Sequence, residues 1–193
     1  MDRKELFTVP NILGFYRILV FPLILWFALT EKESLFAIFI VINFLTDIAD
    51  GFIARRYGLV TDFGARLDSM ADNLTYLLAF IGIYIFKLDD FLPHIESFIL
   101  FVVMLTSTVV VSLVKFRRFS SFHLYSFKIG GYIQGIFFII LFTYGFITPY
   151  YYFMITWGIL SAVEHITIQF IIPHMRSDVK GLYWVLKERS SEK

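Results

Sequence analysis

The sequence predicts an all-α integral membrane protein with six transmembrane helices and both termini on the cytoplasmic side. Three observations lead there. Hydrophobic residues make up 58% of the 193-residue chain, and the mean hydropathy is +0.73, a composition outside the range of soluble domains. The apolar residues gather into six runs, each near the roughly 20 residues that a hydrocarbon core about 30 Å thick requires. Lysine and arginine are distributed very unevenly between alternate turns. The chain has 24 Phe and 11 Tyr, as lipid-facing and interfacial surfaces require.

Taken in order, residues 1–10 read as a short interfacial segment. Pro10 and Asn11 open the first span, 11–30, because proline suits a first helical turn; Pro22 is expected to kink its middle. A polar turn around Glu31 and Lys32 leads to the second span, 34–57. Gly58 starts the next turn, with Thr61 or Asp62 as the N-cap of the third span, 62–87. A polar loop containing Asp89, Asp90, Pro93 and His94 precedes the fourth span, 95–115. A basic loop holding Lys115, Arg117, Arg118 and His123 joins it to the fifth span, 126–147. Pro149 is read as a tight turn, the sixth span as 150–172 stopped by Pro173, and 174–193 as a charged cytoplasmic tail. The whole is read as one domain, without internal repeat. The first apolar run is too long for a cleaved signal peptide and lacks a small-residue cleavage site. The chain has no cysteine, which excludes disulfides and thiolate metal sites. Nothing in a net charge of +1 suggests a nucleic-acid partner.

Orientation follows from the cations. Of the 17 lysines and arginines, only Lys32 and Lys87 fall on one side of this layout; all the others, including Arg3, Lys4, Arg176 and Lys193, fall on the other. The positive-inside bias therefore assigns the termini to the cytoplasm.

The stretch from Asp47 to Asp72 carries the chemistry. Asp47 and Asp50 are spaced i,i+3 and Asp68 and Asp72 i,i+4, so each pair lies on one face of its helix. Gly58 and Gly64 bracket the turn between them, and a helical hairpin brings the pairs together. An acid at the bilayer centre costs about 2.5–3.5 kcal/mol on insertion scales, so four need a shared reason. Carboxylate oxygens are ligands that Mg²⁺ and Mn²⁺ prefer, and two divalent ions would neutralise the four charges. Helix capping and interfacial charge are the blander account of the same aspartates, and burial of unpaired acids weighs against it. Gly51 and Ala54 leave room beside the acids, and Arg55 supplies a guanidinium suited to phosphate. Read locally, this is a dinuclear metal site for a diphosphate at the membrane surface.

Written out, the stretch is Asp47-x2-Asp50-Gly51-x2-Ala54-Arg55-x8-Gly64-x3-Asp68-x3-Asp72. It resembles the signature of the CDP-alcohol phosphotransferases, also called CDP-alcohol phosphatidyltransferases, at every fixed position. The resemblance implies that Asp47, Asp50, Asp68 and Asp72 hold two divalent cations, Mg²⁺ or Mn²⁺. It further implies that Asp72 is the general base, that Gly51, Ala54, Arg55 and Gly64 contact the CDP moiety, and that the protein is a homodimer. Asn11 and Arg17 resemble the Pro-Asn…Arg opening of many bacterial members, which puts Asn11 near the nucleotide. The activity implied is transfer of the phosphatidyl group from CDP-diacylglycerol to an alcohol at the cytoplasmic face of a bacterial inner membrane, with release of CMP.

The acceptor is less legible. Arg17 and Lys128, with Arg117 and Arg118, suggest an acceptor that itself carries phosphate, such as glycerol 3-phosphate. Ser69 and Asn73, however, stand where phosphatidylglycerophosphate synthases usually have Pro and Lys, and Asp-Ser-x-x-Asp is more like members that use serine or an inositol phosphate. Asp62 is read as a cap, Arg56 and Arg66 as positive-inside residues, and His94 and His174 as loop residues. Glu164 and His165, within the sixth span, are open between function and interhelical hydrogen bonding. A metal-ion transporter using intramembrane carboxylates is the alternative of another class, but it calls for polar breaks in both halves of a fold, and here the acids sit on two adjacent helices.

Overall fold

The computed structural model describes residues 8–118, 122, 124–174 and 179–191. The expected interfacial residues 1–7, His123, Arg176 and Lys193 lie outside the described residues. Regular structure among the described residues is helical: α1 (Val9–Leu29), α2 (Glu33–Tyr57), α3 (Asp62–Phe86), a single turn α4 (Leu88–Phe91) followed by a 3-10 turn (Leu92–His94), α5 (Ile95–Phe116), α6 (Tyr125–Thr143), α7 (Thr148–Ile171) and α8 (Leu182–Ser191). Six stretches, with Leu88–Phe116 taken as one, are long and apolar enough to cross a membrane. Helices satisfy their own backbone groups, which a hydrocarbon solvent demands.

The helix limits follow the sequence reading closely, with two corrections. The fifth span ends at Thr143 rather than 147. The N–H groups of Tyr144 and Gly145 both turn back to the Ile140 carbonyl, at 2.8 and 3.1 Å, and Gly145 takes φ +105°, a conformation open to glycine. Pro149 does not make the turn either; it sits in the first turn of α7, where its missing N–H costs nothing. In the expected tail, Leu182–Ser191 is a helix.

The chain divides into two compact units, Met1–Phe91 with Phe138–Gly145, and Leu92–Phe137 with Phe146–Lys193. In the first, α1 packs along both α2 and α3. Its buried residues, Asn11, Gly14, Arg17, Val20, Ile24, Phe27 and Ala28, form the broad stripe of a helix covered on two sides. Phe36 of α2 lies directly on Gly82 of α3, and Phe142 meets the same ring edge-on, with centroids 5.3 Å apart. Glu33 and Lys87 form an ion pair at 2.7 Å, at the opposite ends of α2 and α3 from the motif. The motif end is closed by Gly58, the left-handed C-cap of α2 at φ +65°. Thr61 then caps α3, its hydroxyl accepting from the Gly64 N–H at 3.0 Å, which leaves Asp62 as the first helical residue.

In the second unit, α5 packs against α7, with the Phe101 ring seated on Gly158. Lys115 donates to the carbonyls of Gln169, Phe170 and Ile172 at 2.7, 3.2 and 3.0 Å. It thereby caps the C-terminal end of α7, a favourable place for a cation. Glu164 accepts from the Leu182 N–H at 2.8 Å and so ties the start of α8 to α7, while Val185 of α8 joins Leu124, Ile168 and Ile172 in a buried cluster.

Candidate active site

The hairpin of α2 and α3 runs antiparallel, so the acid nearest the turn on one helix faces its counterpart on the other. Asp50 therefore pairs with Asp68, and Asp47 with Asp72. The structure brings all four together, and the group at their centre is the guanidinium of Arg17 from α1. Its Nη1 donates to Asp47 at 2.9 Å and to Asp72 at 2.6 Å. Its Nη2 donates to Asp50 at 2.6 Å and to Asp68 at 2.8 Å. Each nitrogen thus bridges one cross-helix pair. The Arg17 side chain is 0% exposed and that of Asp50 5%, whereas Asp47, Asp68 and Asp72 are 38%, 47% and 35% exposed. The cage is closed on the α1 side and open on another.

One guanidinium offsets one of four formal negative charges and leaves three. Oxygens of Asp47, Asp50 and Asp68 lie within 4.8 Å of one another. Like charges at that spacing repel by about 3.5 kcal/mol per pair at an effective dielectric constant near 20. Converging hard oxygen donors with residual negative charge fit a divalent cation of the Mg²⁺ or Mn²⁺ kind. One turn along, Asn43 and Thr75, both buried, are 3.5 Å apart, a polar layer between the acids and the apolar core.

Beside the cage lies a cleft of about 220 Å³ that shares Asp50 and Asp68 with it. Asn11, Gly51, Ala54, Arg55 and Gly64 all line it. The room left by its glycines is already put to use. A Cβ on Gly51 would meet the Arg55 guanidinium at 3.2 Å, so the absent side chain lets Arg55 fold back over α2. A Cβ on Gly64 would come 2.8 Å from the Asn11 Oδ1 and 3.1 Å from the Thr61 Oγ1.

Arg17 was expected to face an anionic acceptor; instead it is committed to the four carboxylates. As the single charged residue of α1, opposite four acids, it carried the signal for that pairing in the sequence. Asn43, a polar residue inside an apolar run, carries the same kind of signal for its buried contact with Thr75. Arg56 and Arg66 are exposed. Lys128 is exposed in the first turn of α6, and Arg117 and Arg118 are exposed beyond the end of α5, all three in the second unit. Lys115 and Glu164 serve as helix caps, and the His165 ring packs between Phe122 and Phe127 at 5.0 and 5.2 Å.

A family model described as CDP-alcohol phosphatidyltransferase matches residues 7–167. The chain belongs to the CDP-alcohol phosphatidyltransferase family. It is 40% identical over 86 residues to the CDP-diacylglycerol--glycerol-3-phosphate 3-phosphatidyltransferase of Rickettsia typhi, covering 43% of this chain and 47% of that protein. It is 32% identical over 88 residues to the protein of the same name from Aquifex aeolicus, covering 46% and 49%. It is 39% identical over 71 residues to a fission-yeast cardiolipin synthase (CMP-forming) and mitochondrial hydrolase fusion protein from Schizosaccharomyces pombe, covering 37% of this chain and 12% of that one. The matched stretch spans about half the length of the bacterial relatives. No solved structure matches the chain. Membership in this family, with its acids gathered in one hairpin, displaces the transporter reading.

Proposed function

We propose that the protein transfers the phosphatidyl group of CDP-diacylglycerol to a small alcohol and releases CMP. The observation that carries this reading is the convergence of two cross-helix carboxylate pairs beside a cleft lined by the remaining motif residues. Asp47, Asp50, Asp68 and Asp72 would hold two divalent cations, Mg²⁺ or Mn²⁺, which when bound neutralise the diphosphate and polarise its phosphoryl oxygens. Asn11, Gly51, Ala54, Arg55 and Gly64 form the wall against which the CDP moiety lies, with Arg55 supplying charge to the diphosphate. Asp72 accepts the proton of the acceptor hydroxyl. The acceptor oxygen then bonds to the β-phosphorus as the bond to the bridging oxygen breaks, and CMP departs with that oxygen. Positioning and charge stabilisation do most of the work in such a transfer.

Glycerol 3-phosphate is the first acceptor to test, because the bacterial relatives are named for it; Arg117, Arg118 and Lys128 are the cations available to its phosphate. Ser69 and Asn73 keep serine and an inositol phosphate in the panel. The bias of lysine and arginine supports cytoplasmic termini and a cytoplasmic site, and the family resemblance supports a homodimer. The test is CMP release by the purified protein from CDP-diacylglycerol with Mg²⁺ or Mn²⁺ and each alcohol in turn. One acceptor should release CMP, and Asp72→Asn should abolish that release. Absence of release with every acceptor sinks the proposal.

A further inference from the structure

Arg17, a fully buried charged group, is one that the proposed chemistry does not use. Arg17 has four Nη hydrogens and meets four carboxylates, one for each. These are the carboxylates assigned above to the divalent cations. Each Nη occupies the bridging position between an α2 and an α3 acid, so a guanidinium seated there and cations drawn to the same pairs carry like charge into one small cage and oppose each other. Among the described residues the Nε–H of Arg17 meets no acceptor, so its seat satisfies the ends of the guanidinium and not its root. A cation in the cage relieves the acids' own repulsion, and α1 delivers one from within the chain.

We propose that Arg17 is an internal counter-cation that keeps the carboxylate cage assembled and competes with the divalent ions for it. Divalent binding displaces the guanidinium from the cross-helix pairs, so Arg17 sets the affinity of the cage rather than serving as a passive ion pair. This rests on the reading of the aspartates as metal ligands. It makes Arg17 a positioning residue, and its role is visible without turnover.

The experiment is Mn²⁺ binding to the purified full chain in detergent, by calorimetry, without substrate. Arg17→Met should bind Mn²⁺ more tightly than the wild type by about tenfold or more, since a competing unit charge is gone. In EDTA it should melt at lower temperature than the wild type, with Mn²⁺ restoring it. Arg17→Lys keeps the charge but has one nitrogen, cannot bridge both pairs, and should fall between the two. In the wild type labelled with ¹⁵N-arginine, saturating Mg²⁺ should shift the Arg17 side-chain resonances and open them to water exchange; this arm decides the matter should Arg17→Met fail to fold. Equal or weaker Mn²⁺ binding by the folded variants, or Arg17 resonances unmoved by Mg²⁺, overturns the competition. Failure of the wild type and every variant to bind Mn²⁺ instead overturns the metal-ligand reading beneath it.

Discussion

Gly64→Ala puts the geometry of the cleft under the most direct test. The new Cβ would stand 2.8 Å from the Asn11 Oδ1 and 3.1 Å from the Thr61 Oγ1. Asn11 is 4% exposed, so its amide has little room to retreat, and moving a buried amide off its seat costs about 1–3 kcal/mol. Thr61 caps α3 through the Gly64 N–H itself; losing that cap costs about 1 kcal/mol. Against this, alanine is favoured over glycine inside a helix by up to about 1 kcal/mol. The net expectation is a loss of about 1–3 kcal/mol, read as a lower unfolding midpoint in detergent. Since Asn11 and Gly64 meet in the lining of the cleft, the affinity for CDP should fall about tenfold, the equivalent of about 1.4 kcal/mol. A double-mutant cycle isolates the cause: in an Asn11→Ala background the clashing oxygen is gone, and adding Gly64→Ala should cost about 1 kcal/mol less than it does alone. Unchanged stability and CDP affinity in Gly64→Ala, or strict additivity with Asn11→Ala, would refute the contact as the reason for glycine here.

Three further expectations follow from single contacts. Gly58→Ala places a side chain at φ +65° with nothing within 4 Å of the new Cβ, so any loss is a pure backbone term of about 1–2 kcal/mol, measurable as a lower midpoint without change in Mn²⁺ affinity. Lys115→Met leaves three carbonyls at the end of α7 without their donor and should cost about 1–3 kcal/mol, with faster hydrogen exchange confined to the last turn of α7. Glu164→Ala removes the cap on the Leu182 N–H; protection of the amides at 182–185 should fall while that of α2 and α3 holds, and equal protection in both would show that the buried face of Val185 alone seats α8.

Much of this protein is local information. The spans are legible because a hydrocarbon solvent imposes one length and one polarity on every helix that crosses it. Asp47, Asp50, Asp68 and Asp72 are legible because i,i+3 and i,i+4 spacing on either side of a short turn admits one arrangement, and Gly58 and Thr61 announce that turn by their chemistry. Only tertiary packing decided the occupant of the cage. Arg17 is 30 to 55 residues from the acids it meets, and the rotation of α1 that aims it inward is set by its burial against two helices at once. The same holds for the room at Gly51 and Gly64, which is filled by Arg55 and Asn11, and for Lys115 and Glu164, whose charges go to helix ends that no sequence spacing connects. Periodicity reports which face of a helix is turned inward; what waits there depends on a neighbour that arrives from elsewhere in the chain.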